Sequence, residues 1–220
     1  MKKFSVIFLG LLFVAFGCQK KADLSKVTNI IITNNADVKI VRGDKVMIAS
    51  DDKKDDDSLS YTVVGNVLTI SGNSDAVLYL PDLTNIGSIT VSMNGDLEAD
   101  DDNFSFDSLL ITVVGEGDAS LQLTGKTLIL NLKDDADLKI KGNSNYVGLT
   151  ASGNADYDGK DLVAKDYLVN LSGNSEAHVN ATNSISGELS DYADLYYQGI
   201  DASALNLVVH DSAQVHEENN

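Results

Sequence analysis

Apolar and polar side chains alternate along most of the chain in short runs, and each run breaks at a small residue flanked by Gly, Asn or Asp. A period of two is the signature of a half-buried β-strand, and the breaking residues are those that favour tight turns. No segment holds a 3.6-residue period for three turns, so helices are not predicted. With Ala155 as a reference, comparable small residues stand at Ala36, Ser74, Gly95, Gly117, Ala136, Ser175, Ala193 and Ala213, and from Ser74 onward the steps are 21, 22, 19, 19, 20, 18 and 20. These corner residues define a repeat of about twenty residues.

The columns around the corner sharpen this. Six and four residues before it stand Ile30 and Ile32, Leu68 and Ile70, Ile89 and Val91, Ile111 and Val113, Leu130 and Leu132, Val169 and Leu171, and Leu207 and Val209; the pairs Leu149/Ala151 and Gly187/Leu189 each contain one small residue. Two and four residues after it come Val38 and Ile40, Leu97 and Ala99, Leu138 and Ile140, Ala177 and Val179, and Leu195 and Tyr197. Each unit reads as a strand, a corner and a second strand, both with one inward face. A unit this small cannot bury its apolar face alone, whereas stacked units form a continuous aliphatic core. The predicted fold is all-β, a single-domain parallel β-helix with coils of about twenty residues. A β-sandwich is the alternative, because it also spaces short strands evenly.

The ends organise the chain. Residues 1–17 carry two lysines, an apolar run and a small residue before Cys18, the only cysteine. This is the layout of a lipoprotein signal peptide, with Cys18 acylated as the mature N-terminus, and the apolar run is short of the roughly 20 residues that span a bilayer. Gln19 after the cysteine matches the sorting pattern of an outer-membrane lipoprotein in a Gram-negative envelope. Residues 18–26 follow as a lipidated tether, 27–217 as the β-helix domain with the acidic insert DDKKDDD at 51–57 as a solvated loop, and 218–220 as a loose end.

Charge narrows the partners. Removing residues 1–17 takes Lys2 and Lys3 from the 16 basic residues, leaving 14 against 33 acids, a formal charge of −19. Phosphate backbones need clustered Lys and Arg, so nucleic acid is excluded as a partner.

Much of the acidity is ordered. One place after the corner lie Asp37, Asp75, Asp96, Asp118, Asp137, Asp156, Glu176 and Asp194, then Gln214, all predicted to face outward. At a coil spacing near 4.8 Å, neighbouring carboxylates repel by just under ~1 kcal/mol in water. Either Asx-turn hydrogen bonds to the corner backbone compensate, or calcium bridges successive acids. The stretch SGNADYDG at 152–159 resembles a calcium loop, but with Asn154 as its first position the obligatory glutamate falls on Lys165, and alternation turns Tyr157 inward. No cofactor motif is present. A column three before the corner, Thr33, Ser71, Ser92, Ser152, Ser172 and Ser190, reads as a hydroxyl ladder rather than as nucleophiles.

One strip combines rings with carboxylates. His178 and His216 share the column three after the corner with Tyr196 between them, beside Glu176 and Asp194. These five residues are the candidate ligand strip. A glycosidase or lyase would need two carboxyl groups ~5 to 9 Å apart with different pKa values, yet nearly every coil offers the same acids.

The elements VTNIIITNNADVKIVRGDK (27–45), GNVLTISG (65–72), AVLYLPDLTNIGSITVSMNGD (76–96) and the later S-G-N-A-D corners resemble the GIN-domain family of envelope proteins. The resemblance implies a β-helical, envelope-associated protein with an adhesin label and supplies no catalytic residues. The function expected is a non-enzymatic binding, adhesion or scaffolding role at the envelope, attached through the lipid, with a glycan or protein partner. The alternative is a polysaccharide-active enzyme using carboxylates near the C-terminal coils.

Overall fold

The computed structural model describes residues 23–50, 60–73 and 75–218; Cys18, the insert 51–57 and Ser74 lie outside them. The alternating runs form β1 (Asn29–Thr33), β2 (Asp37–Arg42), β3 (Met47–Ser50), β4 (Tyr61–Val64), β5 (Val67–Ser71), β6 (Asp75–Leu80), β7 (Ser88–Met93), β8 (Asp96–Gly115), β9 (Asp118–Asp134), β10 (Asp137–Gly153), β11 (Asp156–Leu171), β12 (Glu176–Leu189), β13 (Asp194–Gln198), β14 (Leu205–Val209) and β15 (Gln214–Glu217). They make the predicted parallel β-solenoid. Long strands such as β8 to β12 bend with the coil, so the second arm of one unit runs on into the first arm of the next.

Ladder register follows the sequence columns. Ile30 pairs with Leu68 and Ile89, Ile111 with Ile89 and Leu130, and Leu149 with Leu130 and Val169. Side chains of this column from Ile30 to Val169 are essentially inaccessible to solvent, and so are Phe104, Phe106, Tyr157 and Tyr167. The core is therefore a column of aliphatic side chains, broken by a few rings, along the axis.

Corner chemistry explains the small residues. Ala36, Ala136, Ala155, Ser175 and Ala193 are buried where the chain reverses, and a Cβ on Gly95 would come within 3.2 Å of Ile32. Two residues before each corner residue the backbone is left-handed, at Asn34, Gly72, Met93, Gly115, Asp134, Gly153, Gly173, Asp191 and Asp211. Glycine meets this demand without strain and Asn and Asp tolerate it, whereas Met93 does not.

Coil order departs from chain order. The sequence suggests coils stacked one after another, but β1 lies between β5 and β7, and β2 between β6 and β8. The second coil thus folds back to become the N-terminal end, where β3 and β4 run antiparallel to β6 and β5. A crossover at 81–87 then carries the chain past the first coil, with Leu83 and Ile86 buried and the Gly87 N–H donating to the Thr28 carbonyl at 2.7 Å. Arg42 fastens this crossing: its guanidinium donates to the carbonyls of Pro81 at 2.6 Å and Asn103 at 2.7 Å and lies 5.1 Å from the centroid of the Phe104 ring.

Ordered contacts reach into both end segments. Within the tether, Asp23 caps a 3-10 turn at Leu24–Lys26, and Leu24 packs against the core. At the other end Glu218 is held, its N–H donating to the Tyr197 carbonyl at 2.8 Å.

Candidate functional site: an acidic ladder and a ring stack

Second arms of the coils form one face whose outward side chains stand in two columns. In the first, Asp75, Asp37, Asp96, Asp118, Asp137, Asp156, Glu176 and Asp194 are paired in ladder register, each with the next, and the column ends at Gln214. Folding back of the second coil places Asp75 outside Asp37, without breaking the ladder. Backbone bonding around the corner enforces this spacing: the N–H groups of Asp96, Asp118, Asp137, Asp156, Glu176 and Asp194 each donate to the corner carbonyl of the coil before, at 3.0 to 3.2 Å.

At the residue before the corner the bonding runs from side chain to side chain between adjoining coils, instead of closing Asx turns on the corner backbone. Asn94 donates to Glu116 at 3.0 Å, Asn154 to Asp135 at 2.6 Å, and Asn174 to Asn154 at 3.0 Å. Of the hydroxyl column, Ser92 donates to Thr33 at 3.1 Å.

The second outward column contains Lys39, Glu98, Ser120, Lys139, Asp158, His178, Tyr196 and His216. A groove of about 670 Å³ follows the two columns from Asp75 and Asp37 to Asp156 and Asp158. Lys39 pairs with Glu98 at 3.5 Å, and Asp158 accepts both Lys139 at 3.2 Å and Lys160 at 3.4 Å. Partial burial, then the neighbouring carboxylates, pushes Asp96 and Asp137 above the usual aspartate range; Asp156 rises through burial and then Glu176. Burial would also raise Asp158, but its hydrogen bond to Lys139 and the charge of Lys160 outweigh it and hold the group low.

The candidate ligand strip is assembled as a stack. Ring centroids of His178 and Tyr196 are 4.6 Å apart with planes inclined by 8°, and Tyr196 and His216 are 4.7 Å apart at 20°. Rings stacked this closely cover one another's faces, so the strip presents ring edges, whereas sugar stacking uses an open aromatic face. His178 Nε2 faces Glu176 at 2.9 Å, and His216 Nε2 faces Asp194 at 3.5 Å. The structure adds Glu218, whose Oε1 lies 2.9 Å from His178 Nδ1. Continuing the alternation from His216 past the last corner was the available signal for it.

Tyr157 is buried, as alternation predicts, beside the equally buried Tyr167, so SGNADYDG is one corner of the stack. Among the described residues no three His, Cys, Asp or Glu side chains converge to hold a metal ion. Asp156 is raised and Asp158 lowered, but the raised state recurs at Asp96 and Asp137, so no single acid of the ladder is set apart from the others.

Comparison with solved structures gives the same fold. The chain is similar to a putative adhesin from Bacteroides fragilis (TM-score 0.74, 18% identity, 87% of this chain and 92% of that chain). It is also similar to a putative lipid binding protein from Parabacteroides distasonis (0.69, 14%, 90% and 95%) and a putative adhesin from the same organism (0.61, 16%, 87% and 92%). No curated protein matches the sequence. The matched residues 27–200 run from the first buried strand through the whole acidic ladder, and the chain belongs to the family described as putative auto-transporter adhesin, head GIN domain.

Proposed function

We propose that this protein is a non-enzymatic binding or adhesion module of the cell envelope, lipid-anchored at Cys18 to the outer membrane, that holds an extended envelope glycan or protein along the acidic face. The observation that carries this reading is the in-register ladder of eight carboxylates beside a groove crossing successive coils. Near-identical groups repeated at every rung suit an elongated partner contacted many times, whereas catalysis needs one differentiated pair. The adhesin family and the lipoprotein signal-peptide layout before Cys18 support the same reading. Carboxylates lining the groove oppose anionic headgroups, so the lipid binding named for one structural neighbour is not carried over to this face.

The test is retention of envelope fractions by the immobilised protein, wild type against Asp118→Asn/Asp137→Asn/Asp156→Asn. A partner held by the wild type and weakened at least tenfold by the triple change supports the reading; equal retention, or none, overturns it. Anchoring is tested separately by labelling cells with a palmitate analogue, which should mark the wild type and not Cys18→Ser.

A further inference from the structure

All three histidines of the chain sit at its last coils, and each joins the last coil, built from β14 and β15, to an earlier one through a carboxylate. His210, just after β14, meets Glu188 of β12 at 3.1 Å. His216 of β15 meets Asp194 of β13 at 3.5 Å. His178 of β12 meets Glu218, just after β15, at 2.9 Å, and so spans Tyr196 to reach two coils on.

His178 carries the strongest geometric information. Its Nδ1 faces Glu218 and its Nε2 faces Glu176, both at 2.9 Å. A neutral imidazole has one N–H and one lone pair, so it donates to one carboxylate and turns its lone pair on the other; only the imidazolium donates to both.

The surrounding charges make that proton matter. Facing His178 are Glu176 on its own strand, Asp158 in register on β11 with Asp156 beside it, Asp194 and the Tyr196 hydroxyl on β13, and His216 and Glu218 at the last coil. Lys139 and Lys160 engage Asp158. Five carboxylates against two lysines leave three uncompensated negative charges when both rings are neutral and one when both are protonated. His210 faces Glu188, with Asp211 and Asp191 at the adjoining corner.

We propose that the histidines form a pH-operated clasp: protonated, they fasten β14, β15 and Glu218 onto the solenoid, and on losing their protons they release this coil. Release uncovers the edge of β13 and the inward Leu195 and Tyr197, which are buried while the coil is closed. Histidine is the side chain whose charge changes between about pH 5 and 8, which makes it the natural trigger.

The test is hydrogen exchange on the full chain at pH 5.5 and 8.5, corrected for the intrinsic pH dependence of exchange, with β9 and β10 as an internal reference. Protection over residues 205–218, divided by that of the reference, should be at least tenfold higher at pH 5.5. Glu218→Gln and His178→Gln should each reduce this ratio to below about threefold. A ratio near one in the wild type, or one unchanged in both variants, overturns the clasp. Nitrogen-detected imidazole spectra of the wild type need no variant to fold: His178 should be doubly protonated at pH 5.5, and a neutral His178 there overturns it too.

Discussion

Asp96 stands in ladder register with Asp37, and partial burial, followed by the charge of that neighbouring carboxylate, pushes the Asp96 group above the usual aspartate range. Asp96, Asp137 and Asp156 are all raised above the ordinary aspartate value of 3.8. A carboxyl group raised by folding binds its proton more tightly in the folded chain. Its contribution is complete below the unfolded value and disappears as pH rises through the folded one. Asp82, Asp158 and Asp166 are lowered, and their stabilisation is lost as pH falls below the ordinary value. Stability should therefore peak close to the ordinary aspartate range, so that the melting temperature rises by a few degrees as pH falls toward that range from neutrality and drops again below it. Calorimetry across that range at low salt checks this.

Neutralising one rung isolates the repulsion. Asp137→Asn keeps the side-chain shape and removes the charge facing Asp118 and Asp156. At pH 8 and low ionic strength, losing two such repulsions should stabilise the fold by up to ~2 kcal/mol, an effect that shrinks in 0.5 M salt as screening sets in. Urea denaturation at two salt concentrations reads both. If calcium bridged the acids, the same substitution would destabilise the protein in calcium and a chelator would lower its melting temperature.

The ladder was legible in the sequence because every coil repeats the same inside-outside choice: once Ala155 is set as the corner, Asp156 must face out and Tyr157 in. The order of coils was not legible. Leu68 with Ile70 and Ile89 with Val91 are equivalent apolar pairs, and either could have followed Ile30 and Ile32 in the stack. Their places depend on β3 and β4 turning back at the N-terminal end and on the 81–87 crossover, where contacts such as those of Arg42 are local and unrepeated. Glu218 escaped for the same reason, since it lies past the last corner that frames the repeat.

Arg42 is the chain's only arginine. Its fork spans two carbonyls on separate segments, a geometry that a lysine point charge reaches only in part. Arg42→Ala should cost about 1.5 to 3 kcal/mol, and Arg42→Lys should recover less than half of it. Chemical denaturation of the three proteins measures this, and full rescue by lysine would show that charge alone fastens the crossover.

The left-handed column makes opposite predictions for two of its coils. At Gly153 the backbone φ is 88°, and a Cβ would lie 2.8 Å from the Asp134 carbonyl oxygen and 2.9 Å from its Cα and nitrogen. Because these are backbone atoms of the adjacent ladder, they cannot swing away, and Gly153→Ala should destabilise by about 2 kcal/mol or more. Met93 holds φ 61° with an exposed side chain, so its strain has no packing return. Met93→Gly relieves a left-handed cost of about 1 to 2 kcal/mol while adding roughly 0.5 to 1 kcal/mol of unfolded-chain entropy. The net change should lie between neutral and ~1.5 kcal/mol stabilising. Equilibrium unfolding of both variants decides the matter: a Met93→Gly protein that loses stability would mean that the methionine is doing something at the corner beyond tolerating it.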